Sequence, residues 1–246
     1  MVRLRALDET VIWHDVECAS YGADLELWRE LAAGRPGPLL DLGCGTGRVA
    51  LDLAAHGRDV IGLDSDPALI AALAARARER DLRVRTHVGD ARSFELGRTL
   101  GLVIAPMQVV QLMGGRSGRE AMLRCVRRHL DGGGLFAAAL ADPFEDAPVE
   151  DLQPPLPDVR EEDGWVYSSM PVLLRVEEES TAIDRLRQAV SPGGQLTESM
   201  NTVVLDRVSP GELEDEARGL FRVLPRRAVP EDDRYLGSTV VMLEAV

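Results

Sequence analysis

The sequence predicts an α/β, doubly wound, mainly parallel sheet of seven strands with a β-rich insertion after the fifth. Three observations point there. Short runs that are apolar throughout, such as Leu39-Leu40 and Leu135 to Leu140, alternate with helical patterns, as in a parallel sheet covered on both faces. The first run ends in Asp41, breaks into Gly43, Gly45 and Gly47, and resumes with helical spacing, a strand–turn–helix of the kind where open α/β sheets bind ligands. After Asp142 the character changes, and Trp165 to Asp206 reads as strands.

In chain order, Leu25, Leu27, Trp28 and Leu31 predict a first helix within Tyr21–Leu31, ended by Gly34 and Pro36. Pro38 to Leu42 is the first strand. Asp59 to Asp64 is the second, followed by a helix with Asp66 at its N-cap, Pro67 at its first position and an alanine-rich body to Ala77. Val84 to Val88 is the third strand, ended by Gly89-Asp90, and Leu100 to Ala105 the fourth, stopped by Pro106. Gly118 to Leu130 is helical, Asp131 to Gly134 a turn, and Leu135 to Leu140 the fifth strand.

Asp142 to Asp163 is rich in proline and acid and reads as loop. Within the insertion Ser191 to Gly194 is a hairpin turn, whereas Thr181 to Val190 fits a strand or, through Ile183, Leu186 and Val190, a helix. Gly211 to Leu220 is helical, and Phe221 to Val229 and Thr239 to Ala245 return as strands. The organisation expected is one domain over 1–246. It has an amino-terminal lid and helix (1–35), a cofactor-binding core (36–142), an inserted antiparallel layer covering the substrate (160–208) and a closing helix with the last two strands (209–246).

Composition narrows the function. A formal net charge of −13 repels polyanions, so no nucleic-acid partner is expected. The basic stretch Arg76 to Arg85 is interrupted by Glu79 and Asp81 and reads as a solvated helix end. No apolar run is long enough to span a bilayer, and Met1 to Arg5 leads into acidic residues rather than a secretory signal. Three widely spaced cysteines form neither a zinc motif nor a disulfide framework, so a cytoplasmic location and no metal are expected.

Glycines at 43, 45 and 47 let the backbone turn with positive φ and approach a ligand closely, which suits a nucleoside cofactor. The nicotinamide fingerprint wants glycine at the first, third and sixth positions of such a loop, but the sixth here is Arg48. A phosphate-binding P-loop is excluded because no Gly-Lys-Ser/Thr follows. Asp41 beside the loop suits a cationic ligand better than a pyrophosphate.

The run Asp41-Leu42-Gly43-Cys44-Gly45-Thr46-Gly47 resembles the Asp/Glu-x-Gly-x-Gly-x-Gly loop of class I S-adenosylmethionine-dependent methyltransferases, and the resemblance extends over most of the chain. It implies a Rossmann-like fold, S-adenosylmethionine as cofactor with S-adenosylhomocysteine as product, and methyl transfer by in-line displacement. By the same resemblance Asp64, with Ser65 beside it, binds the ribose hydroxyls, Asp90 and Ala91 the adenine, and Ala105 lies against the methionine moiety. Asp41, Gly43, Cys44 and Gly45 form the cradle. Trp13-His14-Asp15 and Tyr21 occupy the places of an aromatic-aromatic-Asp and a later tyrosine that, in one branch of the family, fold over the cofactor. This adds Tyr21 to the cofactor set and Trp13 to the substrate side.

No residue stands out as the catalyst. His14 is the candidate with a pKa suited to base work near neutrality, while Gln108 and Gln111 are candidate substrate contacts. His56, His87 and His129 read as structural. The fourth-strand end, Ala105-Pro106-Met107-Gln108, lacks the Asn/Asp-Pro-Pro-Tyr/Phe of relatives that methylate planar amines. The inserted strands are expected to carry specificity, with Ser168, Ser169, Met170, Arg175, Ser199, Met200 and Asn201 as candidate lining residues, or to form a homodimer surface.

The leading expectation is methylation of a small-molecule metabolite at an amine or hydroxyl. An NAD(P)-dependent oxidoreductase and a non-catalytic S-adenosylmethionine-binding module are the alternatives, and protein or RNA methylation ranks below them.

Overall fold

The protein is described by a computed structural model covering residues 9–141, 156–231 and 237–246. The first eight residues of the expected lid and most of the acidic, proline-rich segment after Ala141 lie outside the described residues.

The seven-stranded sheet is built from β1 (Leu39–Leu42), β2 (Val60–Asp64), β3 (Val84–Val88), β4 (Leu100–Ala105), β5 (Leu130–Leu140), β10 (Phe221–Val229) and β11 (Ser238–Ala245). Its spatial order is β10-β11-β5-β4-β1-β2-β3. Strands β1 to β5 run parallel, whereas β11 is antiparallel to both β5 and β10. The order reverses between β1 and β4, which opens a crevice at the carboxyl ends of those strands.

Helices α2 (Leu25–Ala33), α3 (Arg48–Ala55), α4 (Pro67–Glu79), α5 (Arg116–His129) and α6 (Pro210–Glu216) accompany the sheet. Two apolar clusters result. One gathers Leu40, Leu42, Phe136 and Val126, and the other Trp28, Leu39, Leu73 and Ile104. Residues 39 and 40 thus point to opposite clusters, as the two-residue period of a strand buried on both faces requires.

Four elements depart from the sequence expectation. Helix α1 (Glu9–Cys18) precedes the expected first helix, and Tyr21 lies between the two. Asp131 to Gly134 is no free turn but an irregular part of β5, where the pairing with β4 slips between Leu100 and Leu102 and Gly133 takes φ 78°. Asp158–Glu162, expected in a loop, is strand β6. Thr181 to Val190, which fits a strand or a helix by sequence, is the strand and belongs to β8 (Ser180–Val190). Ile183 faces one side of its sheet and Leu186 and Val190 the other, so apolar residues on both faces hid the two-residue period. Helix α6 is shorter than expected, but Ser209 and Glu212 give it a reciprocal capping box.

The insertion is a separate antiparallel sheet, β6-β7-β8-β9, completed by β7 (Trp165–Val176) and β9 (Leu196–Asp206). One face of it packs on α1, where Ile12, Trp13 and Val16 meet Tyr167 and Ala189.

Candidate active site

A cavity of about 520 Å³ opens at the switch point between β1 and β4. Its floor is the turn from β1 into α3. Gly43 and Gly45 adopt φ 69° and 54°, where a side chain is strained. A Cβ on Gly45 would also lie 2.1 Å from His14 Nε2, so α1 crosses directly above the loop.

Asp15, next to His14, holds that crossing. Its carboxylate accepts from the Thr46 hydroxyl of the loop at 2.7 Å and from both Arg76 amino groups of α4, with Arg160 of β6 3.5 Å away. Burial alone would raise the Asp15 pKa, but the hydrogen bonds from Arg76 and Thr46 outweigh it and hold it below the usual carboxylate range. Burial lowers the His14 pKa against the pull of Asp15 and Asp64, which keeps the imidazole neutral near pH 7. Its Nδ1 lies 3.4 Å from the Thr46 hydroxyl, and the ring faces the cavity.

Three acids line the cavity at the ends of successive strands. Asp41 is 1% exposed, and neither carboxylate oxygen has a hydrogen-bond partner among the described residues. Burial pushes its pKa up to about 7, against the pull of the Arg48 charge and of the Ala50 amide in α3, which approaches the carboxylate without the geometry of a full hydrogen bond. Asp64 accepts from the Gly45 and Asp66 amides at 2.9 and 3.0 Å, which leaves lone pairs on both oxygens. Asp90 is gripped by Arg92, whose amide donates at 2.8 Å and whose guanidinium donates at 2.6 to 3.1 Å; this pairing holds its pKa down. Asp66 caps α4 through the Ala68 amide at 2.8 Å, as its position predicts.

Of the expected cofactor residues, Asp41, Gly43, Cys44, Asp64, Ser65, Asp90 and Ala91 line the cavity, together with His14 and Gln108. Gly45 and Ala105 lie behind that lining. Tyr21 is buried in the core with the Arg48 guanidinium 4.9 Å above its ring. Trp13 turns away, edge-on to Tyr167 with Arg187 on its face, so it joins α1 to the inserted sheet. Gln111 is tied by its amide to the Ala141 backbone, accepting at 3.1 Å and donating at 2.8 Å, and stays out of the cavity. No residue of β6 to β9 lines the cavity, so Ser168, Ser169, Met170, Arg175, Ser199, Met200 and Asn201 do not form its wall.

Sequence reasoning missed several wall residues. Arg48, which stands where the nicotinamide fingerprint wants glycine, turns toward α2, pairs with both Asp24 oxygens at 2.5 and 2.8 Å, and lines the cavity. Val109, Leu112 and Met113 join Met107, which follows Ala105 in the segment the resemblance sets against the methionine moiety, in an apolar wall after β4, with Met107 at φ 56°. Only the chain break at Pro106 hinted at that turn. Burial pushes the Cys18 thiol up to about 12 and the Cys44 thiol well above its usual value, so neither is a thiolate nucleophile. Among the described residues, no three His, Cys, Asp or Glu side chains converge as a metal site.

Residues 39–134 match the family model described as a methyltransferase domain, and this segment contains the loop, Asp64 and Asp90. Over that segment the chain is similar to methyltransferase domains. A curated relative, the cypemycin N-terminal methyltransferase of a Streptomyces species, is 32% identical over 129 residues, 51% of each chain. The chain therefore aligns with about half the length of that relative.

Two solved structures share the fold across nearly the whole chain. The sugar N-methyltransferase KedS8 of a Streptoalloteichus species superposes with a TM-score of 0.71 at 20% identity, covering 98% of this chain and 95% of the other. The S-adenosylmethionine-bound amino pentose methyltransferase CalS10 of Micromonospora echinaspora gives 0.70 at 20% identity, covering 100% and 99%. At such identity the likeness concerns the fold. No helix among the described residues is long and apolar enough to cross a membrane.

The site fits a cationic nucleoside cofactor on its own features. A buried carboxylate without a partner faces a cavity that also carries Asp64, with acceptor capacity to spare for a diol. Such a carboxylate costs stability unless a donor or positive charge meets it.

Proposed function

We propose that this protein transfers the methyl group of S-adenosylmethionine to an amine nitrogen on a small molecule, and that it does so in the cytoplasm. The observation that carries the reading is Asp41, a buried carboxylate lacking a hydrogen-bond partner among the described residues and facing the cavity beside the glycine loop. In this reading Asp41 and the loop hold the methionine end, Asp64 accepts from the ribose hydroxyls, and Asp90 with Ala91 holds the adenine. The bound cofactor supplies a methyl activated on a sulfonium. The chain itself then has only to bind the acceptor, align its lone pair and exclude water.

The apolar wall of Met107, Val109, Leu112 and Met113 supports the last of these tasks. An amine needs only weak help to lose its proton near neutrality, and the neutral His14 imidazole above the loop is the group placed to accept it. A hydroxyl acceptor would call for a stronger base. The relatives named above as N-terminal and sugar N-methyltransferases favour nitrogen as well. A dinucleotide is disfavoured because its pyrophosphate would meet Asp41 and Asp64.

The test is incubation with methyl-labelled cofactor and matched panels of amino sugars, short peptides with free amino termini, and their hydroxyl counterparts. Label is expected in amines. Label confined to hydroxyls would refute the nitrogen assignment, and cofactor binding without transfer to any panel member would favour a non-catalytic module.

A further inference from the structure

Arg48 stands where a cation is out of place. It is the first residue of α3, whose first turn holds no acid and whose cap, Gly47, has no side chain to give. A positive charge there opposes the helix dipole. Burial adds to the cost, since the Arg48 side chain is only 10% exposed.

Asp24 offsets that cost from behind. It is buried and does not line the cavity. Its two oxygens accept from Arg48 Nη1 and Nη2 at 2.5 and 2.8 Å, and Nη1 also donates to the Tyr21 carbonyl at 3.0 Å. The Trp28 indole donates to Asp24 at 2.8 Å and fixes the carboxylate in turn, while the Tyr21 ring lies 4.9 Å from the guanidinium. The guanidinium is thus held in one orientation. Among the described residues these bonds engage three of its five N–H donors, and Arg48 itself lines the cavity.

Asp41 lines the same cavity. Each of the two charges favours the charged form of the other, so they lie within electrostatic reach. Yet neither Asp41 oxygen has a hydrogen-bond partner among the described residues, so the two are not joined. Opposite charges that border one cavity without pairing suit a group that carries both charges on neighbouring atoms. An α-amino acid is such a group, with its ammonium toward Asp41 and its carboxylate toward Arg48. The planar guanidinium offers donors in the fork that a carboxylate fits. A pyrophosphate would satisfy Arg48 alone and be repelled by Asp41.

We propose that Arg48 binds the carboxylate at the methionine end of the cofactor and makes the site select ligands with an intact amino acid over decarboxylated ones. This role of Arg48 rests on the S-adenosylmethionine reading above and goes beyond it, because Asp41 alone accepts any nucleoside bearing an ammonium group.

Calorimetric titration compares S-adenosylhomocysteine with its decarboxylated analogue, which keeps the nucleoside, the sulfur and the ammonium. The native protein is expected to prefer the intact ligand by at least ~10-fold, the scale of a charge-assisted hydrogen bond. In Arg48→Gln the preference is expected to fall to about 3-fold or less. Arg48→Lys keeps the charge but loses the fork, so its preference should lie between the two. A ratio of two ligands within one variant cancels any loss of loop geometry that weakens both, and if Arg48→Gln fails to fold, Arg48→Lys reads the same ratio. A native preference below about 3-fold, or a variant preference as large as the native one, overturns the role of Arg48. A native protein that binds neither ligand removes the cofactor reading itself, whereas equal binding of both removes only the assignment of Arg48.

Discussion

Asp15 and Asp41 are both buried, at 4% and 1% exposure, and both border the glycine loop, yet they are opposites. Asp15 is fully partnered: Thr46, Arg76 and Arg160 converge on it from the loop, α4 and β6, and its pKa is lowered. Asp41 has no hydrogen-bond partner among the described residues, and its pKa is raised to about 7. A buried carboxylate with its partners in place holds structure together. One without them is a standing cost that folding alone does not explain. The contrast separates the clamp above the cavity from the floor that receives a ligand.

Breaking the clamp should have the largest effect. Asp15→Ala removes the carboxylate partner of Arg76, while Arg160 keeps Glu162, and frees α1 from the loop, so a loss of about 3–5 kcal/mol is expected, the scale of a broken buried ion pair. Urea denaturation of the variant reads it, and a loss below about 1 kcal/mol would mean that α1 is held mainly by Ile12, Trp13 and Val16.

Asp41 should respond in the other direction. Unfolded, it releases its proton near 3.8, whereas the folded protein keeps it up to about 7. In that window the folded state binds more protons, so the Asp41 contribution lowers stability as pH rises from about 4 to 7 and levels off above. Asp41→Asn cannot titrate. Its advantage over the native protein should grow across that window toward a limit on the order of 4 kcal/mol, while cofactor affinity falls. Denaturation of both proteins at pH 5 and pH 8 measures this, and an equal gap at both values would sink it.

A third comparison concerns the ribose end. Asp64→Ala should weaken S-adenosylhomocysteine binding by about 1–3 kcal/mol, the scale of lost charge-assisted hydrogen bonds. Some of that loss would come through the Gly45 amide, which Asp64 also holds at 2.9 Å. Unchanged affinity would refute the ribose role. The smallest effect is expected at Arg92→Ala, because its pairing with Asp90 is exposed and solvent-screened: cofactor affinity should move by no more than about twofold. A larger loss would place Arg92 itself against the cofactor.

The floor of the site was legible because it is local. A strand end, three glycines and an acid after each of three strands leave their mark within a few residues, so Asp41, Gly43, Asp64 and Asp90 could be named in chain order. The clamp was not legible, because Asp15 meets Arg76 and Arg160 only through folding. Trp13 and Tyr21 were assigned to the site from an aromatic pattern, but a pattern cannot say whether a ring faces a cavity or a core. Here Trp13 meets Tyr167, and Tyr21 lies under Arg48. Met107 takes positive φ without being glycine or asparagine, so nothing in its type announced the turn that shapes the apolar wall. The strand character of Thr181 to Val190 emerged only with partners on both sides.

The most direct test of the central claim, that Asp41 is unpartnered because a cationic cofactor completes it, is calorimetric titration of S-adenosylmethionine into the native protein and into Asp41→Asn at pH 8. The account predicts saturable binding to the native protein and at least ~10-fold weaker binding to the variant, which is about 1.4 kcal/mol. No binding to the native protein at millimolar cofactor, or equal affinity in the two, would contradict it.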